Sequence, residues 1–172
     1  MNVNCIIIDD FLENPDAVRD SIINSNISFD IKGNFPGSRT DIVDENYQKM
    51  FLNKLYKVLP FDIEINYGTN SFSFQLCLED DETWEHFDEW EWTGVLYLTP
   101  NPNPDSGTVI IDPNTFVHDS DDYTVTTLVS NVYNRLVLFR GGHFPHRSNL
   151  AGFGDNIKNG RLTQVIFFKE VE

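Results

Sequence analysis

The sequence predicts a mainly β domain with flanking helices, a double-sheet jelly roll with a helical N-terminal part. Two stretches in the first 60 residues combine helical spacing with capping residues. After Pro60 the texture changes to short apolar or alternating runs separated by turn residues. The 172 residues are 40% hydrophobic and 13% aromatic, with 14 Phe, which suits one globular domain. We expect a single domain over 1–172, with 1–60 as helical support and 61–172 as the jelly-roll core.

Residues 3–8 are apolar and β-branched and read as a strand. Asn14-Pro15-Asp16 then opens a helix. Asn14 can cap, Pro15 suits the first helical position, and Asp16 favours the positive end. That helix should run to about residue 25, with Ala17, Val18, Ser21 and Ile22 inward. A turn-rich stretch with Gly33, Pro36 and Gly37 follows. Asp44 caps a second helix to about residue 59, with Tyr47, Phe51, Leu52, Leu55 and Tyr56 at helical spacing. Strands are expected at 63–67, 71–78, 94–99 and 108–111, with a Pro/Asn loop at 100–104. Residues 123–133 are rich in Thr and Val but do not alternate cleanly. Strong strands close the chain at 135–139 and 162–168.

Charge narrows the function. Twelve Lys and Arg against 27 Asp and Glu leave a formal charge of −15. A field of that sign repels phosphate backbones and anionic membrane surfaces, so nucleic acid is an unlikely partner and a membrane is not expected. No Lys or Arg occurs between Lys57 and Arg135, and acids are densest from Glu79 to Glu91. That cluster is either a solvated loop or a rim that attracts a cationic partner or helps hold a metal. Cys5 and Cys77 form no framework and read as reduced core thiols. The N-terminal residues lack a signal peptide's basic start and long apolar core, and no apolar run reaches the ~20 residues of a membrane span. The expectation is a soluble, cytoplasmic protein.

Three clusters carry chemistry. In Glu85-His86-Phe87-Asp88, His86 and Asp88 are two apart and on an extended segment point to one face. An imidazole and a carboxylate can then converge on one ion, although a surface His–Asp pair has the same spacing. A facial 2-His-1-carboxylate site needs a second His from a distant strand. His143 and His146 are both available; being three apart, only one fits a shared face, and His146 is favoured because His143 follows two glycines in a turn. His118 reads as a loop residue. Arg161 and Thr163 again share a face at the start of an apolar strand. A guanidinium beside a hydroxyl is a good carboxylate clamp, although an edge-strand Arg in a surface salt bridge would look similar.

The order of these pieces is informative. His86-x-Asp88 is followed by Gly94-Val-Leu-Tyr97-Leu98, a Pro/Asn loop ending in Gly107-Thr108, Arg135-Leu-Val-Leu-Phe139, His146, and Arg161-x-Thr163. This resembles the 2-oxoglutarate- and Fe(II)-dependent dioxygenases, in particular the small prolyl-hydroxylase-like branch with its phage and viral members. The opening Ile8-Asp9-Asp10-Phe11-Leu12, the helix beginning Asn14-Pro15 with its Arg, and Phe35-Pro36-Gly37-Ser38-Arg39 resemble that branch too. The resemblance implies a double-stranded β-helix in which His86, Asp88 and His146 hold Fe(II). It implies that Arg161, with Thr163, pairs with the distal carboxylate of 2-oxoglutarate, and that Tyr97 belongs to the co-substrate pocket. The implied activity consumes O2 and hydroxylates a C–H bond, with ascorbate as an accessory reductant. The substrate would be a small molecule or peptide, such as a peptidyl or free prolyl side chain, and cationic if the acidic rim selects it. The location would be the cytoplasm, a host's if the protein is viral.

Two features depart from the family pattern. The interval from His146 to Arg161 is 15 residues, longer than usual, and calls for an inserted loop between the last two strands. Trp84, Trp90 and Trp92 crowd the acidic segment, where they can line a substrate entrance or pack around the barrel mouth. Three other readings compete: a jelly-roll binding module without catalysis, an acidic nucleic-acid mimic, and a cupin-type enzyme with another metal. Only the oxygenase requires Arg161.

Overall fold

The computed structural model describes residues 3–41, 44–67, 71–118 and 120–171. Asp119, in the polar stretch after His118, and the first two residues lie outside that set. The elements in chain order are β1 (Cys5–Ile8), α1 (Pro15–Ile23), β2 (Ile31–Gly33), β3 (Phe35–Arg39), α2 (Glu45–Val58), β4 (Asp62–Ile65) and β5 (Phe74–Cys77). They continue with β6 (Trp92–Tyr97), a 3-10 turn at Pro104–Ser106, β7 (Thr108–Ile111), β8 (Val125–Val129), β9 (Leu136–Phe139), β10 (His146–Ser148) and β11 (Arg161–Val171).

All pairings are antiparallel. The larger sheet runs β1-β9-β6-β11-β5-β3-β2, with β4 added to the far end of β11. The smaller sheet is β10-β7-β8. β11 is the spine. It pairs with β6 through Thr163↔Tyr97 to Phe168↔Trp92, and with β5 through Arg161↔Cys77 to Gln164↔Phe74. Its first eight residues are all buried, so both faces are covered. Alternation then divides the labour. Leu162, Ile166 and Phe168 point into the main core with Phe11, Phe51, Leu55 and Trp92. Arg161, Thr163, Val165 and Phe167 point to a cavity on the other side. A second, smaller core of Tyr97, Ile110, Val129, Val137 and Phe139 joins the two sheets.

The helices cover the outer face of the large sheet. Asn14 caps α1 by accepting the Ala17 N–H at 3.1 Å, and Asp44 caps α2 by accepting from Asn46 and Tyr47. α1 stops at Ile23, two residues short of the expected end. Its inward face also differs from expectation. Ala17 and Ser21 are exposed, and Arg19 is buried beside Ile22. The Arg19 guanidinium donates to the Leu98 carbonyl at 2.7 Å and the Lys158 carbonyl at 2.6 Å, so it acts as an internal tie. Tyr56 likewise faces solvent, leaving Phe51, Leu52 and Leu55 as the buried side of α2.

Three further local expectations change. The stretch with Gly33, Pro36 and Gly37 is a hairpin of two strands, and the first 60 residues therefore give the large sheet β1, β2 and β3 as well as both helices. Pro36 is accommodated because the ladder to β5 starts at Ser38, while Gly37, at φ 67°, lets the strand pass against the Cys77 Sγ. The strand expected from residue 71 begins at Phe74, because Phe72 turns the chain at φ 69°. Within 123–133 the strand is β8, an edge strand exposed over most of its length, which explains its missing alternation. The long interval before Arg161 is an irregular loop tied down by Asn159, whose Oδ1 accepts the N–H groups of Asp155 and Asn156, both at 3.0 Å.

Candidate metal centre and its cavity

The approach of two chain segments builds the centre. His86 and His146 form an isolated antiparallel bridge, each N–H bonded to the other's carbonyl at 3.1 and 2.9 Å. Their rings lie 4.5 Å apart between centroids, tilted by 56°. Asp88 follows two residues on, its N–H held by the Gly141 carbonyl at 3.0 Å. His86, Asp88 and His146 thereby bring one ligand atom each to within 4.8 Å of the others, a group that can hold a metal ion. His146 Nε2 lies 3.1 Å from Asp88 Oδ2 and His86 Nε2 3.7 Å from Asp88 Oδ1.

Backbone carbonyls set the imidazole orientation. His86 Nδ1 lies 3.1 Å from the Trp84 carbonyl, and His146 Nδ1 lies 3.0 Å from the Phe144 carbonyl. A proton on each Nδ1 donates to that carbonyl and leaves the Nε2 lone pair free to ligate. Burial, and then the neighbouring His146, push the His86 pKa below its ordinary value against the pull of Asp88, which favours the neutral, ligating ring. Burial alone would raise Asp88. The hydrogen bond and charge of His146, with a hydroxyl bond from Thr93, outweigh it and hold the carboxyl at about 2. The donor set on offer is two imidazoles and one ionised carboxylate, the ligand types of a facial 2-His-1-carboxylate site.

The cavity beside this group has a volume of about 70 Å³ and is walled by both sheets. Arg161 reaches it from β11, 5% exposed, with Nε donating to the Ser106 carbonyl at 2.8 Å. Among the described residues no carboxylate lies within ion-pair distance of it. A buried guanidinium without a counter-charge is costly, and an incoming anion relieves that cost. Thr163 lines the same cavity. Tyr97 stands behind Arg161, whose Cζ is 5.7 Å from the ring centroid, and its hydroxyl is engaged by Thr108 at 2.7 Å.

His143 lies outside the cluster, exposed beside Trp90, Glu91 and Lys169. His118 is exposed against Phe116. The acidic segment has several fates. Glu85 pairs with Arg147 at 2.9 Å and accepts from Tyr123, and Glu91 pairs with Arg140. Asp81 caps the Leu78 N–H at 2.7 Å, while Glu79, Asp80, Glu82 and Glu89 stay exposed. The tryptophans also diverge. Trp92 is buried in the core, stacked on Phe168 at 5.9 Å, so it does not line an entrance, whereas Trp90 does. The sequence reading gave no site role to Arg39, Gln75 or Thr93, all of which line the cavity. The signal available for Arg39 was its place at the end of Phe35-Pro36-Gly37-Ser38-Arg39.

Solved structures share this fold. A prolyl hydroxylase from Trichoplax adhaerens, in complex with a hypoxia inducible factor oxygen degradation domain peptide, matches with a TM-score of 0.60 and 15% identity. The match covers 96% of this chain and 83% of that one. HygX from Streptomyces hygroscopicus, with nickel, 2-oxoglutarate and hygromycin B bound, gives 0.65 and 8% identity over 96% and 82% of the two chains. HygX has also been solved with iron bound. A Pseudomonas putida prolyl-4-hydroxylase gives 0.54 and 15% over 98% and 93%. No protein-family model and no curated protein matches the sequence. The chain thus shares the fold of prolyl hydroxylases and other 2OG-Fe(II) oxygenases, with a His-Asp-His group that can hold a metal.

Proposed function

We propose that this protein is a 2-oxoglutarate- and Fe(II)-dependent oxygenase that hydroxylates a C–H bond, its two facing sheets forming a jelly-roll double-stranded β-helix within a single domain. One observation carries the reading: the His86–Asp88–His146 group, with His146 buried and the other two half-buried, shares a cavity with a buried Arg161 that has no carboxylate within ion-pair distance among the described residues. His86, Asp88 and His146 would hold Fe(II). Arg161, beside Thr163 and backed by Tyr97, would take the distal carboxylate of 2-oxoglutarate. Bound there, the iron and keto acid supply, with O2, the oxidising power for an unactivated C–H bond. The chain's own residues orient them. The Trp84 and Phe144 carbonyls fix the imidazoles, Thr93 and the Gly141 carbonyl fix Asp88, and the Ser106 carbonyl fixes Arg161. Three protein ligands leave coordination positions for the keto acid and O2. The molecules bound by the neighbours, a peptide fragment and hygromycin B, support a peptide or small-molecule substrate, a prolyl or similar side chain among them. The free thiols Cys5 and Cys77 suit a reducing compartment such as the cytoplasm.

The test is anaerobic titration of the metal-free protein with Fe(II), then 2-oxoglutarate, following the weak visible charge-transfer band of a chelated keto acid. The parent should develop the band, His146→Ala should not, and Arg161→Ala should need far more 2-oxoglutarate while still binding metal. Absence of the band in the parent would sink the oxygenase reading.

A further inference from the structure

A second guanidinium lines the same cavity. Arg39, at the end of β3, is 9% exposed. Register places it in a row across three strands, Arg39↔Gln75 and then Gln75↔Thr163. Its Nε donates to Gln75 Oε1 at 2.9 Å, and its Cζ sits 3.8 Å from the centroid of the Phe35 ring. Among the described residues the terminal nitrogens have no hydrogen-bond partner and no carboxylate within ion-pair distance. Four N–H groups of a buried cation are thus left for something else. Burial brings its pKa to about 10, so it stays charged at neutral pH, with Asp88 supporting the charge through space.

Position separates Arg39 from Arg161. Arg161 lines only the inner cavity, whereas Arg39 lines the inner cavity and also the outer mouth, of about 320 Å³. That mouth is walled by Phe35, Phe87, Trp90 and Phe167 and edged by Glu89. In the inner cavity a divalent ion and two guanidiniums against Asp88 and a dianionic co-substrate would leave one positive charge over, which at the mouth Glu89 offsets only from an exposed position.

We propose that Arg39 is the substrate anchor, and that the substrate presents a carboxylate to it with an apolar body against the aromatic wall. This rests on the oxygenase reading above. A carboxylate fits better than a phosphate, because the site offers one planar fork and stands beside Asp88 and Glu89, which oppose a dianion.

The test uses Zn(II)-loaded protein saturated with 2-oxoglutarate and calorimetric titration with matched pairs. One arm is the free L-amino acids against their carboxamides. The other is N-acetyl-aspartyl-prolinamide against N-acetyl-asparaginyl-prolinamide, which separates a free amino acid's carboxylate from a peptide side chain's. At least one acid should bind about tenfold or more tighter than its amide. Arg39→Gln should erase that difference while binding 2-oxoglutarate within about twofold of the parent, and Arg39→Lys should restore part of it. No acid–amide difference in any pair of the parent overturns the proposal without recourse to a variant. So does an undiminished difference in Arg39→Gln, or loss of 2-oxoglutarate binding there. Failure of the parent to bind 2-oxoglutarate refutes the oxygenase reading instead, and the acid–amide pairs are then read on the Zn(II) protein alone.

Discussion

Gly141→Ala tests whether the Asp88 carboxylate must be held in place for metal to bind. Gly141 follows β9, and its backbone is not in the left-handed region, so alanine is conformationally allowed. Space is the obstacle. A Cβ at 141 would stand 2.6 Å from Asp88 Oδ2 and would also press on the Thr93 hydroxyl, where ordinary contact begins at 3.4 Å. The carboxylate must give way by about 0.8 Å, the difference of those two distances. Thr93 donates to that same oxygen and moves with it or loses the bond. A hydrogen bond to a charged group contributes about 1.5–3 kcal/mol, or roughly 10–150-fold in an equilibrium constant. Loss of a partner that orients a metal ligand costs about 10–100-fold in metal affinity. Zn(II) affinity, measured by competition with a chromogenic chelator, should fall in that range for Gly141→Ala. Thr93→Val, which keeps the shape and removes the donor, should fall to a similar extent. Both variants binding Zn(II) within about twofold of the parent would refute the reasoning, because Asp88 would then need neither its space nor its donor.

Three other outcomes follow from the geometry. In the metal-free protein, the advantage of parent over Asp88→Asn in urea unfolding should be roughly 2 kcal/mol near pH 6, since the Asp88 pKa is lowered from 3.8 to about 2. A depressed carboxyl stabilises above its unfolded pKa, so the advantage should shrink as pH falls below about 4 and vanish near 2; a constant difference from pH 6 to 2 would contradict it. Arg19→Met should lower unfolding free energy by about 2–4 kcal/mol, because it strips donors from the Leu98 and Lys158 carbonyls, and a loss below about 1 kcal/mol in urea would argue against the tie. His143→Ala should leave Zn(II) affinity unchanged, and a tenfold loss would move the distal ligand to that residue.

The site was more legible than its surroundings. His86 and Asp88 share a face at spacing two, and Arg161 with Thr163 begins a buried strand; both are local patterns that survive into the structure. His146 could be ranked above His143 but not paired with His86, since that bridge joins residues 60 apart and β10 is only three residues long. Arg39 lay in a segment whose Pro and Gly read as turn. Its strand identity comes from β5 and β2 on either side, which no local signal announces. The same holds for Arg19. A helical wheel puts Ala17 inward, but the carbonyls of Leu98 and Lys158 are tertiary partners and reverse the preference. Trp92 was ambiguous for a related reason. Its neighbours in sequence are acidic, while its neighbours in space are Phe61 and Phe168.

β11 has a consequence for how such a protein can diversify. It is hydrogen-bonded on both sides, and its alternate residues serve the cavity and the main core. Its amides should be among the slowest to exchange with solvent, opening only with the whole domain. A one-residue insertion there would exchange the two faces and ruin chemistry and folding together. The hairpin of β2 and β3 lies at the sheet's margin, with β2 largely exposed, and carries Arg39 and Phe35 to the mouth. With Arg39 as the substrate anchor we propose, changes of substrate would accumulate on the hairpin while the wall of His86, Asp88, His146 and Arg161 stays fixed.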